Sequence, residues 1–331
     1  MPRLFRSHII DLTGILIIAF ALYLISFGSS FKDSLSFSSS ILNLNTIFIS
    51  ILIEALPFVL IGVLIAGIIQ IFVTEEHIRK CIPKNKTLAV MMSCIIGALF
   101  PACECGIVPI VRRLIGKGVP IYAGIGFMLT GPLINPIVIA STYMAFGNNA
   151  EIAGLRMGLG FIIAVIVAFA VSLFFKGNQF KSSVQTLHSY TTEKNDFLAK
   201  LWAMLTHSID EFFDMAKYLI MGAFLAAFVQ TYLPAKTLLE AGNGPLSSIA
   251  VMMGLAYVLS LCSEADAFIG ASFSSIFPTS SILAFLIYGP MMDLKNTLMM
   301  LSVFRFKFVM AVVVIITLIV FITIFLMSSF V

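Results

Sequence analysis

The chain has 331 residues, 60% hydrophobic and 11% charged, with a formal net charge of +4 and a mean hydropathy of +1.07. Water-soluble domains are nearer half apolar and a quarter charged, so the composition excludes a soluble globular protein and indicates an integral membrane protein. The small positive excess is that of cytoplasmic loops in a lipid bilayer, and no long basic run or aromatic–basic surface points to nucleic acid.

In chain order, the first apolar stretch covers 9–27. At about 19 residues it exceeds the 7–15 of a signal-peptide core, and no small-x-small cleavage site follows, so it reads as an uncleaved first span. Arg3 and Arg6 place the N-terminus on the cytoplasmic side. Further apolar stretches fall at 46–73, 88–111, 119–146, 153–175, 213–233, 246–272, 280–304 and 307–329. Each is long enough to cross a hydrocarbon core, which takes about 20 helical residues, and helix is the only plausible element there. Residues 176–200 form the one sizeable polar linker, and 197–217 has apolar positions at helical spacing, with Trp202 suited to the membrane interface.

The chain repeats itself. At an offset of 160 residues Glu54 meets Asp214, Gly62 meets Gly222, Gln70 meets Gln230 and Glu104 meets Glu264, while Cys103 falls within one position of Cys262. At 158, Gly131-Pro132 meets Gly289-Pro290 and Asn135 meets Asp293. Unrelated apolar helices align Leu and Val easily, but not their rare acidic, Gln and Gly-Pro positions. The organisation expected is an added span and external loop (1–45), repeat 1 (46–175), a cytoplasmic linker with an interfacial helix (176–205) and repeat 2 (206–331).

Loop charge then tests the path. If 88–111 crossed fully, the basic loop Arg112-Arg113-Lys117 would lie outside, against the positive-inside rule. If 88–111 dips in and turns back at "FPACECG", that loop and the 176–200 linker lie inside; the same treatment of 246–272 places Arg305 and Lys307 inside. Each repeat then makes three crossings plus one hairpin. Three is odd, so the repeats are inverted, the build of secondary transporters. The fold class expected is therefore an all-α polytopic membrane protein with about 7–9 transmembrane helices, two re-entrant hairpins and two inverted repeats; nine full spans with parallel repeats is the alternative.

Ionisable residues at membrane depth are functional-site candidates. They are Glu54, Glu104, Asp214, Glu264, Asp266 and Asp293, with Asn135 as a neutral counterpart. Glu54 and Asp214 are proton or charge carriers on this reading; the bland alternatives are interfacial water for Glu54 and an ion pair with Lys217 for Asp214. Asn135 and Asp293 follow Gly-Pro breaks, where they either line a pathway or cap helix starts. Cys103 and Cys105 flank Glu104, and Cys262 comes from the other repeat, so three sulfurs can together hold one soft ion such as zinc, copper(I) or trivalent arsenic on this reading. Small polarisable residues that merely allow close helix packing are the alternative. Cys81 and Cys94 read as inert, and His8, His77, His188 and His207 form no cluster.

"PACECGIVPIVRRLIGKGVPIYAGIGFMLTGPLINPIV" and "LCSEADAFIGASFSSIFP" together resemble a family of bacterial predicted permeases that includes trivalent organoarsenical efflux permeases and YraQ-type membrane proteins. The resemblance covers about 46 to the end and implies a permease of the bacterial cytoplasmic membrane, handling a metal, metalloid or thiol-reactive solute, with a second membrane subunit as a possible partner. It carries over Cys103, Cys105, Gly106, Gly131, Pro132, Asn135 and Cys262 as pathway residues. The expected function is a secondary permease for a small solute, working by alternating access, with no cofactor and no enzymatic activity. The rivals are a membrane thiol–disulfide carrier pairing Cys103 with Cys262, a non-transporting subunit of a complex, and an intramembrane hydrolase, for which no nucleophile–base signature appears.

Overall fold

The computed structural model describes residues 39–328 except 75, 77, 79–81, 84, 101, 176, 178, 182–196 and 233–243. The expected first span at 9–27, Cys81 and His188 lie outside the described residues. Within them the chain is all-α, with an isolated bridge between Phe180 and Phe304. The helices are α1 (Ser39–Phe72), α2 (Lys86–Leu99), α3 (Glu104–Gly116), α4 (Ile121–Ile134), α5 (Pro136–Ala145) and α6 (Ala150–Phe174). There follow α7 (Phe197–Tyr232), α8 (Pro245–Leu259), α9 (Ser263–Ser272), α10 (Thr279–Met291), α11 (Leu294–Val303) and α12 (Phe306–Met327). Among the described residues, five segments are long and apolar enough to cross a membrane: Ser40–Phe72, Ile121–Ala145, Ala150–Phe174, Met204–Tyr232 and Phe306–Met327. The protein is a multi-pass membrane protein.

Four of the apolar stretches break in the middle, and the sequence supplies each break. Cys103 and Cys262 stand at the N-caps of α3 and α9. Asn135 caps α5 by accepting from Ile137 N–H at 3.0 Å, with Pro136 pre-set for the first helical turn. Asp293 caps α11 by accepting from Asn296 N–H. Pro132 and Pro290 sit in the last turns of α4 and α10; each lacks a backbone donor, so the helix ends there at little cost.

At 88–111 the chain turns back. Cys94 of α2 lies against Gly126 of α4 and Gly97 lies against Phe127 and Thr130, so α2 and α4 run parallel. Ile115 of α3 meets Gly124 and Ile107 meets Gly131, so α3 and α4 run antiparallel. Hence α2 and α3 form a hairpin, and 88–111 is not one continuous helix. The second half repeats this geometry. Ser248 of α8 bonds Ser281 at 2.8 Å and Ala256 faces Gly289, whereas Asp266 of α9 faces Gly289 and Gly270 faces Leu286. Its tip, at 260–262, contains Ser260 in the left-handed region (φ 48).

The two long helices lie against each other in opposite directions. Ser208 of α7 bonds the Val63 carbonyl at 3.5 Å and Phe224 packs edge-on to Phe48 of α1, with ring centroids 6.1 Å apart. Helix α7 runs without interruption through 205–206. Between hairpin and long helix the approach is backbone on backbone: a Cβ on Gly62 would lie 2.2 Å from the Gly106 carbonyl oxygen. Across the halves, α3 packs with α11 and α5 with α9. At one end the chain after α6 is stitched to the turn before α12. Lys181 N–H bonds Val303 O and Arg305 N–H bonds Gln179 O, each at 3.0 Å, and the Phe180 and Phe304 rings stack at 5.6 Å.

Candidate functional site: a buried charge cluster between the hairpins

Three helix N-termini meet between the hairpin tips: those of α3, α9 and α11. Glu104, the first residue of α3, accepts from the Lys295 ammonium of α11 at 3.0 Å. Lys295 also donates to the Ser260 carbonyl at 3.0 Å and stands 3.5 Å from Asp293. Ser263, the first residue of α9, donates to the other oxygen of Glu104 at 3.5 Å. Glu104, Asp293 and Lys295 are 1%, 1% and 3% exposed, so these charges are balanced inside the protein and not by solvent. The α3 and α11 N-termini add favourable dipole charge to Glu104 and Asp293, worth up to about 2 kcal/mol in partly buried geometries.

A second buried cation closes the other side. Arg156 of α6, 1% exposed, donates to Thr142 Oγ1 at 2.6 Å and to the Ser263 carbonyl at 3.1 Å, tying α5 and α6 to the start of α9. Asp266, one turn into α9, is 1% exposed, and both its carboxyl oxygens lack a hydrogen-bond partner.

The thiols border the same region. Cys105 Sγ stands 3.9 Å from Glu104 Oε1 and within hydrogen-bonding reach of Cys103. Cys262 accepts from Ala265 N–H at 3.4 Å and faces the Glu54 carboxyl of α1. Among the described residues no group of three or more His, Cys, Asp and Glu side chains stands ready to hold a metal ion. Gly131 and Pro132 lie at the tip level, where Gly131 admits Ile107. Gly106 serves the backbone contact with α1, and Glu264 is half-buried on α9. Asp214 does not join the site; it is exposed and pairs with Lys217 at 3.2 Å. Asn135 and Asp293 both cap, and Asp293 also belongs to the charge cluster.

The candidate residues read from sequence were acids, thiols, Asn135 and the glycine and proline positions; the cations Lys295 and Arg156 were missed. Lys295 was visible two positions after Asp293 in "GPMMDLKN", as the basic residue of an otherwise apolar stretch. Arg112 and Arg113 need correcting. They are not loop charges but buried residues of α3, and both engage Glu211 of α7. Arg112 approaches it at 3.1 Å without hydrogen-bond alignment, while Arg113 makes two aligned bonds, its Nε donating at 3.0 Å. A separate cleft, lined by Lys86, Tyr122, Ser172 and Phe175 among others, opens where α2 starts and α6 ends, and its walls include none of the charge cluster.

A multi-pass helical bundle with two mid-chain hairpins and paired charges at their tips has the construction of a membrane transport protein. A family model described as a predicted permease, ArsP_1, matches residues 40–329, and the chain belongs to that family. It is 54% identical over 282 residues to the UPF0718 protein YcgR of Bacillus subtilis, covering 85% of this chain and 96% of that protein. It is 42% identical over 272 residues to a putative two-component membrane permease complex subunit of Streptococcus mutans, covering 82% and 90%. A UPF0718 protein of Methanocaldococcus jannaschii is 26% identical over 157 residues, 46% of this chain and 42% of that one. No solved structure matches the chain.

Proposed function

We propose that this permease is a secondary carrier of a small soft solute (a metal ion, a metalloid or another thiol-reactive compound) which passes the bacterial cytoplasmic membrane between two inverted halves, 46–175 and 206–331. The observation that carries the reading is the buried Glu104–Lys295–Asp293 cluster, built from both halves where broken helices meet. Charges at that depth are costly, and ionisable groups inside a membrane bundle favour a pathway reading. Inversion is supported by the opposite directions of α1 and α7 and by the matching hairpins in each half. Cys103, Cys105 and Cys262 border the cluster and are the contacts for a thiol-seeking solute. Glu104 balances charge, because Lys295 already neutralises it. Alternating access then amounts to the two hairpins trading exposure of this cluster between the two faces, with the N-terminus inside. The Streptococcus mutans relative is named as a subunit of a two-component complex, and a second membrane subunit is proposed here too.

The test is accumulation of Zn²⁺, Cu⁺ and trivalent arsenicals in cells with and without the chain. The expected result is a difference for at least one of them that is lost in Cys103→Ser/Cys105→Ser/Cys262→Ser at equal membrane abundance. Identical accumulation of all three, with and without the protein, sinks the soft-solute reading.

A further inference from the structure

The buried charges at the hairpin tips do not cancel if every acid is ionised. Lys295 and Arg156 supply two positive charges; Glu104, Asp293 and Asp266 supply three negative ones. Two of those acids are accounted for, because Lys295 lies 3.0 Å from Glu104 and 3.5 Å from Asp293. Asp266 has no such partner. Both its oxygens are buried without a hydrogen bond, and no cation lies within ion-pair distance among the described residues. Arg156 is the cation that faces it, but its two terminal nitrogens donate to Thr142 Oγ1 and the Ser263 carbonyl, and its Nε, although buried without a hydrogen-bond partner, makes no ion pair with the carboxyl. A bare carboxylate in that position would bear the full desolvation cost of an unpaired ion, of several kcal/mol. With one proton on Asp266 the five side chains sum to zero.

Resting on the permease reading above, we infer that Asp266 carries the coupling proton, and that this site holds either the proton or one positive charge of the solute. The groups facing it are Arg156 from α6, Glu104 from α3, Asp293 from the α10–α11 break and Lys295 from α11, with Glu264 on its own helix next to Arg156. A proton suits the site better than a metal cation. Gly289 is packed so close that a Cβ there would lie 2.6 Å from Asp266 Oδ2, which crowds one side of the carboxyl against the several oxygen ligands a hard cation collects. When the site opens, Asp266 Oδ–H passes its proton to water and becomes a carboxylate. The solute's charge then balances it. Re-protonation from the opposite face completes the cycle, so proton and solute move in opposite directions.

Infrared spectroscopy of the full chain in lipid tests this without knowledge of the solute. A protonated-carboxyl carbonyl band is expected in the wild type and absent in Asp266→Asn. No such band, or a band abolished by Na⁺ at constant pH, overturns the assignment. Should Asp266→Asn fail to reach the membrane, carbodiimide labelling of the wild-type chain, mapped by mass spectrometry, reads the same proton; modification elsewhere but not at Asp266 overturns it. In liposomes with an entrapped pH dye, external Zn²⁺ is expected to drive protons out through the wild type. Asp266→Asn should show no Zn²⁺-driven proton movement. Zn²⁺-driven proton movement unchanged in that variant refutes the inference. No Zn²⁺ movement in the wild type refutes Zn²⁺ as solute, and the infrared band still decides the proton.

Discussion

Replacing Lys295 by Met removes the cation that two buried carboxylates share. Lys295 has a 3.0 Å contact with Glu104, a 3.5 Å contact with Asp293 and a 3.0 Å bond to the Ser260 carbonyl. The variant leaves Glu104 and Asp293 without a counter-charge, at 1% exposure each. Breaking a buried pair this way costs about 3–5 kcal/mol, which is roughly a factor of 10² to more than 10³ in the folded-to-unfolded ratio. Glu104→Gln is different in kind. It removes one negative charge from a cluster that has two for one lysine, and leaves Lys295 paired with Asp293, so a cost nearer 1–2 kcal/mol follows. The double variant Glu104→Gln/Lys295→Met leaves only Asp293 unpaired and should recover part of the Lys295→Met loss. Thermal unfolding in detergent, with membrane abundance as a second readout, measures all three. The reasoning fails if Lys295→Met is as stable as Glu104→Gln, or if the double variant is no better than Lys295→Met alone.

Three further outcomes follow from the same geometry. Gly62→Ala places a methyl 2.2 Å from the Gly106 carbonyl oxygen, a backbone atom that cannot rotate away, so monodisperse protein on size-exclusion should largely disappear; Gly254→Ala, with nothing within 4 Å, should behave as wild type. Glu211→Gln leaves Arg112 and Arg113 buried without an anion and should destabilise by about 3 kcal/mol or more, whereas Arg112→Met leaves the aligned Arg113–Glu211 bonds intact and should cost less. Arg156→Lys keeps the charge but cannot span both Thr142 Oγ1 and the Ser263 carbonyl with one planar fork, so it should lower the unfolding temperature nearly as far as Arg156→Met.

The hairpins and helix breaks were legible because their causes are local. "FPACECG", "GPLINP" and "GPMMD" each carry a proline or capping residue at the break, whereas the loop-charge argument reached the reversal on a premise that did not hold, because Arg112 and Arg113 are buried in α3. Glu104 and Asp293 were found for a similar reason: an acid is conspicuous in an apolar run. What was not legible was pairing. Glu104 and Lys295 are 191 positions apart and Arg113 and Glu211 are 98 apart, and nothing in either neighbourhood names the other. Arg112 and Arg113 looked like loop cations because basic residues usually end a span; the partner that lets them stay buried lies on α7, in the other half of the chain. Asp214 shows the reverse case, since its partner Lys217 is one helical turn away and was readable on sight.

The stitch between 179–181 and 303–305 sets a mechanical condition on the molecule. Two backbone hydrogen bonds, a bond from the Arg305 guanidinium to the Phe180 carbonyl at 3.2 Å and a stacked phenylalanine pair join the exit of α6 to the entrance of α12. Phe175 and Phe308, 5.0 Å apart and edge-on, extend the join into the helices themselves. The last long helix of each half is therefore fastened to the other at one end, like the two legs of a pair of tongs. Any tilt between them turns about the rivet at Phe180 and Phe304, and displacement grows with distance from it, largest where α6 begins and α12 ends.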